Sequence, residues 1–208
     1  MTVTHKIESP LTTLLRRGPV VFKGQMTREE FHRFSLRHDE LRMERDKNGI
    51  ITIQPFMTYD SGFNEGEAFF ALKLWSKKYP HLGKVLSPST SFDLPDGSTH
   101  KADGAWVSMQ KHNSLTEEER KHIAAIVPDF VMEVRSQTDS LRKLKRKMED
   151  VWIANGVRLA WLIDPINEKA WVFRANGLNE EIRNFSGTLD GEDVLPGFVL
   201  KLQEFKEQ

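Results

Sequence analysis

The chain has no cysteine among its 208 residues. That absence removes any disulfide framework and any thiolate metal site, and nothing points to an oxidising compartment. Long apolar runs are missing too. The two longest, 69–72 and 159–163, are far below the roughly 20 residues that cross a bilayer. The opening MTVTHKIESPL lacks the charged-then-apolar layout of a secretory signal. Surplus charge is absent: 30 Lys and Arg balance 30 Asp and Glu. No global basic field advertises a polyanion, so such affinity has to come from local clustering. The glycines fall singly at turns and form no phosphate-binding loop. The seven histidines show no paired metal spacing, and none is placed to activate Ser136 or Ser140, whose better role is to cap a helix. What remains is a cytoplasmic, membrane-free chain of one domain over 1–208. Its hydrophobic content of 38% is enough for a sizeable core. Residues 1–25, broken by Pro10, Gly18 and Pro19, read as a possible N-terminal extension.

Local signals place elements along most of the rest. Thr27 followed by Glu30 is a capping box that opens a helix through about His38. Asn48-Gly49 between the β-prone runs 41–46 and 50–56 signals a hairpin. Ser61 or Asn64 caps a further helix, which puts Phe69, Leu72 and Trp75 on one face and stops before Pro80. A short strand near 84–86 and a turn at Pro95-Asp96-Gly97 come next. Ser114 with Glu117 reads as another helix start, its run ending before Pro128. The most informative stretch is 129–164: an apolar strand, a basic helix over 140–155, and a second apolar strand from 157. Such a unit crosses over right-handed onto a parallel neighbour. After a turn at Pro165-Ile166-Asn167, residues 170–174 return antiparallel, with 181–185 as an edge and 199–202 as a last short element. Trp106, Trp161 and Trp171 read as strand core, Trp75 and Trp152 as helix packing. The sum is an α/β fold, a mixed central β-sheet flanked by α-helices.

Two acids stand out against this pattern. Ionised carboxylates are costly on apolar strands unless something pairs with them, yet Glu133 sits in the middle of DFVMEVRS and Asp103 opens DGAWVS. Alternation puts Glu133 with Val131 and Arg135 on one face, opposite Phe130, Met132 and Val134. That face is either solvent or a site. On the plain reading Asp103 is a strand-entry turn residue and Glu133 points outward. On the functional reading the pair holds a hard divalent cation such as Mg²⁺, which takes one or two protein carboxylates with phosphate and water. Arg135, Arg142, Lys143, Lys145, Arg146 and Lys147 put six cations within thirteen positions, against the single acid Asp139. Leu141, Leu144, Met148 and Val151 form the core stripe of that helix. Lys147 borders the stripe and can reach inward, while Lys143 and Arg146 lie further round. A helix rich in cations is often only a solvated surface. Beside Glu133 the same charges would bind phosphate and stabilise developing charge, the arrangement of a metal-dependent nuclease.

The segments HKADGAWVS, TEEER and PDFVMEVRSQTDSLRKLKRKMEDVWIANGVRLAWLIDP, in that order, resemble the Uma family of restriction-endonuclease-like proteins. NGIITIQPF, FNEGEAFFALKLW and LPGFVLKL extend the likeness over most of the chain. Its specificity lies in the order and spacing of the segments together. That family belongs to the PD-(D/E)XK nuclease superfamily. The resemblance implies a restriction-endonuclease-like fold, DNA as partner, phosphodiester hydrolysis, and Mg²⁺ as cofactor, with Mn²⁺ as a substitute. It also implies Asp103 as the first metal-binding acid and Glu133 as the second. The superfamily pattern has a lysine two residues beyond the second acid, where Arg135 stands here. Arginine can brace a phosphate but does not deprotonate to act as a base. The Uma family carries its lysine on the following helix, where Lys147 matches. The chain departs from the family downstream, with Val151 and Trp152 in the region where the family often has Tyr. One residue more than usual also separates Lys147 from Gly156, which leaves Lys143 and Lys145 as alternatives. For an assisting acid from an early helix or hairpin, the candidates are Glu44, Glu65 and Glu67, with Glu67 as first choice for the metal. A homodimer would suit an enzyme that cuts both strands. The competing expectation is a nuclease fold kept for nucleic-acid binding, or as a dimeric interaction module, without catalysis.

Overall fold

Residues 10–206 are described by a computed structural model. Residues 1–9, which hold most of the inspected leader region and the start of the expected extension, lie outside the described residues. The chain begins with α1 (Pro10–Leu15) and β1 (Val20–Gln25). α2 (Arg28–Arg37) opens on the expected capping box: the Glu30 N–H donates to Thr27 Oγ1 at 3.2 Å, and the Thr27 N–H donates to the Glu30 carboxylate at 2.8 Å. β2 (Met43–Arg45) and β3 (Ile50–Ile53) form the expected hairpin, with Gly49 at φ +82°. That left-handed conformation favours glycine in the turn. The Thr58 hydroxyl, rather than Ser61 or Asn64, caps α3 (Tyr59–Lys78). β4 (Gly83–Leu86), β5 (Ser91–Asp93), β6 (Thr99–Lys101) and β7 (Gly104–Ser108) follow. The helix expected to start at Ser114 ends there instead. Ser108 caps α4 (Met109–Ser114), and Thr116 with Glu119 makes a second reciprocal cap that opens only the short turn Glu119–Lys121.

The second half follows the expected alternation. β8 (Phe130–Val134) leads to α5 (Leu141–Arg146), which continues as a π-helical segment, Lys147–Ile153, and then β9 (Leu159–Asp164). β10 (Lys169–Arg174), β11 (Glu180–Arg183), β12 (Thr188–Asp190) and β13 (Val199–Lys201) complete it. Six strands form one mixed sheet in the order β11-β10-β9-β8-β7-β4, in which only β8 and β9 run parallel. A second sheet runs β1-β3-β2-β6-β5, and β12 pairs with β13. β1, from the segment read as an extension, is thus an edge strand of that second sheet.

β8 and β9 are buried along their whole length. Both faces are covered, which is why they read as nearly continuous apolar runs. On one face α3 sets Ala68, Leu72 and Trp75 against Phe130, Met132 and Trp161. On the other, Met148 and Trp152 of the π segment pack with Val131, Ala160 and Leu162, joined by Phe92 of β5 and by Ala102, just after β6. The acids flagged in the sequence lie on this second side. Among the described residues no helix is long and apolar enough to cross a membrane.

Candidate active site

Strand register brings the two acids together. Gly104 pairs with Met132 in the antiparallel β7–β8 ladder, so Asp103 comes opposite Glu133. A Cβ at Gly104 would stand 2.3 Å from Met132 Cε, so a larger residue there would have to displace the Met132 side chain. The Asp103 Oδ2 accepts the Val134 N–H at 2.8 Å. Asp103 and Glu133 are only 6% and 4% exposed, and both line one cavity of about 550 Å³.

Lys147 joins them from the helix. Its Nζ lies 2.9 Å from Glu133 Oε1 and 2.7 Å from Glu44 Oε1, and donates to the Lys101 carbonyl at 2.9 Å. An ammonium has three donors, and all three are used. The Trp152 Nε1–H donates to the same Glu133 oxygen at 3.0 Å. Lys147 and Trp152, five residues apart, reach one carboxylate because the helix is π-type here, with the Ala154 N–H donating to the Glu149 carbonyl. A π turn holds one residue more than an α turn. The alternatives stand elsewhere: Lys145 Nζ lies 3.9 Å from the Trp171 ring centroid, and Lys143 lines the cavity from the exposed side of α5.

Two further acids reach the cluster, and Glu67 is not one of them. The Glu44 carboxylate accepts from the Lys101 N–H at 3.0 Å, and its Oε2 lies 3.5 Å from His100 Nδ1. Arg42 bridges the remaining pair, with Nη1 3.2 Å from Glu65 Oε2 and Nη2 2.5 Å from Asp103 Oδ1. Glu67 is exposed and lines no part of the cavity. Helix phase explains the correction. The buried stripe of α3 is Ala68, Leu72 and Trp75, and Glu65 precedes it by three, seven and ten positions, whereas Glu67 falls off it. Arg135 also departs from expectation. It turns to Asp164, with Nη1 2.9 Å from Oδ2, and its Nε donates to the Asp139 carbonyl at 3.3 Å. Asp164 is fully buried and also caps the turn at Asn167, so Arg135 neutralises a structural acid away from the cavity. Nor do Ser136 and Ser140 cap α5 as expected: Ser136 bonds to Asp139, and Ser140 makes no side-chain capping bond.

The charges are tightly balanced. Burial, with the neighbouring Asp103 and Glu44, outweighs Lys147 and pushes Glu133 up to about 8. Burial and Asp103 likewise push Glu65 up to about 7 against Arg42. Glu44 is buried as well, but Lys147 and His100 overcome that and hold it well below the usual carboxylate range. Lys147 resists the pull of its own burial because Glu133 and Glu44 hold it above the ordinary lysine value. It is therefore a fixed cation rather than a proton acceptor.

A family model described as "Uma2: Putative restriction endonuclease" matches residues 28–203. The chain belongs to this family. A search of curated proteins finds no match. Among solved structures, the chain is similar to one described as a putative nuclease belonging to DUF820 from Anabaena variabilis ATCC 29413. The two share 19% identity, with a TM-score of 0.70 over 86% of this chain and 97% of that one. The fold is thus restriction-endonuclease-like, and membership of the Uma2 family supports nuclease activity.

For a Uma2 chain the donor set suits a hard cation. Carboxylate oxygens from adjacent strands meet in one cavity, and such ions take oxygen ligands. Among the described residues no group of three or more His, Asp or Glu is arranged to hold a metal ion, so phosphate and water would have to complete the shell. Sequence reasoning missed Arg42, His100 and the Trp152 donor. Arg42 had a signal: strand alternation sets it on the face of Glu44, opposite the buried Met43.

Proposed function

We propose that the protein is a divalent-metal-dependent endonuclease that hydrolyses DNA phosphodiester bonds. The observation carrying this reading is the convergence of Asp103, Glu133 and Lys147 on one cavity from two adjacent strands and the helix that follows them. Asp103 and Glu133 would hold Mg²⁺ or Mn²⁺, with Glu44 and Glu65 behind them. Bound there, the ion supplies Lewis-acid polarisation of the phosphoryl oxygen and an activated water. Lys147 keeps its proton, orients Glu133, and presents positive charge where the transferred phosphoryl group gains negative charge. The Trp152 indole holds the Glu133 carboxylate in place and keeps water from its buried side. Arg42 has to release Asp103 Oδ1 as the cation enters. The reading takes DNA as partner, the cytoplasm as location, and a homodimer as the form that would cut both strands.

One observation favours a second reading. Arg42 already neutralises Asp103 at 2.5 Å, which suits a fold kept for binding without catalysis. Cleavage of supercoiled and linear DNA with Mg²⁺, Mn²⁺ or EDTA separates the two. Metal-dependent cutting that disappears in Asp103→Ala and Glu133→Ala is the expected result. A folded wild type that neither cuts nor binds metal by calorimetry would favour a fold retained for binding alone.

A further inference from the structure

The cavity that holds the acids has two unlike linings. The second sheet and the segment after it supply an apolar side in Val21, Phe56 and Met57. These three are 52%, 55% and 48% exposed, and unlike most of the other exposed apolar side chains they line a cavity, where a ligand could cover them. Helix α5 supplies the other side through Lys143 and Arg146, both exposed and neither in an ion pair among the described residues. The carboxylates are close to fully buried below them.

A base-paired duplex fits this shape poorly. Its phosphates lie on the outside of a wide cylinder and its base faces are stacked away, so an apolar lining would meet sugar and phosphate. A scissile phosphate in a duplex also has to descend to carboxylates with almost no solvent exposure. A single strand has the same asymmetry as the cavity, with phosphates along one edge and apolar base faces along the other. We propose that this site takes a single-stranded or locally unpaired stretch of nucleic acid. A base stacks on Phe56 beside Met57 and Val21, while Lys143 and Arg146 hold the flanking phosphates. The inference rests on the nuclease reading and adds the strand state of the substrate to it.

Fluorescence anisotropy with a labelled oligothymidylate and a labelled hairpin duplex, in EDTA so that nothing is cut, tests it on the intact chain. The single strand is expected to bind at least tenfold more tightly than the duplex. Phe56→Ala, at an exposed position, should weaken single-strand binding by roughly five- to hundredfold, the range for losing one stacked base, and leave the weaker duplex binding as it is. Phe56→Trp should restore or exceed wild-type affinity. Lys143→Gln with Arg146→Gln should weaken both probes and flatten the salt dependence. Equal or tighter binding of the duplex, or a Phe56→Ala variant that binds the single strand as wild type does, overturns the inference while the nuclease reading stands. Failure of both probes to bind, with no cutting in Mg²⁺, overturns both.

Discussion

On one face of β8, Phe130, Met132 and Val134 meet α3 and the edge-on ring of Trp161; on the other, Val131 and Glu133 meet Trp152, Lys147 and the second sheet. The first face is apolar, and its burial stabilises the fold by the ordinary hydrophobic effect. The second buries Glu44, Asp103 and Glu133 within the same molecule. Buried charges cost several kcal/mol each unless paired, and here they are held by Lys147 and Arg42. Five residues of one strand thus serve two purposes, and the difference locates the site. The α3 face carries apolar packing, and the opposite face carries the buried charges from which the proposed site is built.

The contrast can be broken from either side. Trp161→Ala on the apolar face should lose about 3–5 kcal/mol in denaturant unfolding at every pH, with cutting lost only through unfolding. Lys147→Met should cost about 3 kcal/mol, because it strands the buried Glu44 carboxylate and removes the cation beside Glu133. Adding Glu44→Gln to Lys147→Met should recover part of that loss, a sign no apolar truncation would show. If the double variant is less stable than Lys147→Met, the charge account of this face is wrong.

Smaller effects sharpen the picture. Glu133 is raised to about 8 and Glu65 to about 7, so the folded state holds protons that the unfolded chain has released. Their contribution to stability is full below the ordinary glutamate range and is lost as pH rises through 7 to 8. Without divalent metal, Tm should fall by on the order of 10 °C between pH 5 and pH 9, each kcal/mol being worth about 2–4 °C in a chain of this size. Glu133→Gln should flatten most of that slope and abolish cutting while leaving the protein folded; an unchanged slope would remove Glu133 as its source. Glu65→Gln should flatten the remainder. Glu67→Gln should alter stability by less than about 0.5 kcal/mol and leave cutting intact, which separates the two α3 acids by calorimetry and gel assay.

Much of this molecule is legible one segment at a time. The capping box at Thr27, the hairpin at Asn48-Gly49, and the β8–helix–β9 unit each depend on residues within a few positions of one another. Three-residue strands such as β5 and β6 escaped notice because SFD and THK are too short and polar for periodicity to register. In α3 the expected face of Phe69, Leu72 and Trp75 shares Leu72 and Trp75 with the buried stripe, but Ala68 completes it in place of Phe69, and only packing separates Glu65, which lines the cavity, from Glu67, which does not.

Sequence by itself determined the alternation of apolar strands and helices, and marked Asp103 and Glu133 as acids costly to place on apolar strands. Those are local properties of hydrophobicity, spacing and charge; Lys147 stood out from the other helix cations only through the family resemblance. Only the tertiary structure decided what answers those charges. Arg42 and Glu44 arrive from a hairpin far away in the chain, Arg135 is drawn off to Asp164, and a π turn rotates Lys147 and Trp152 onto one carboxylate. Partner choice for a buried charge depends on which groups packing brings within about 3 Å, and no local pattern records that distance.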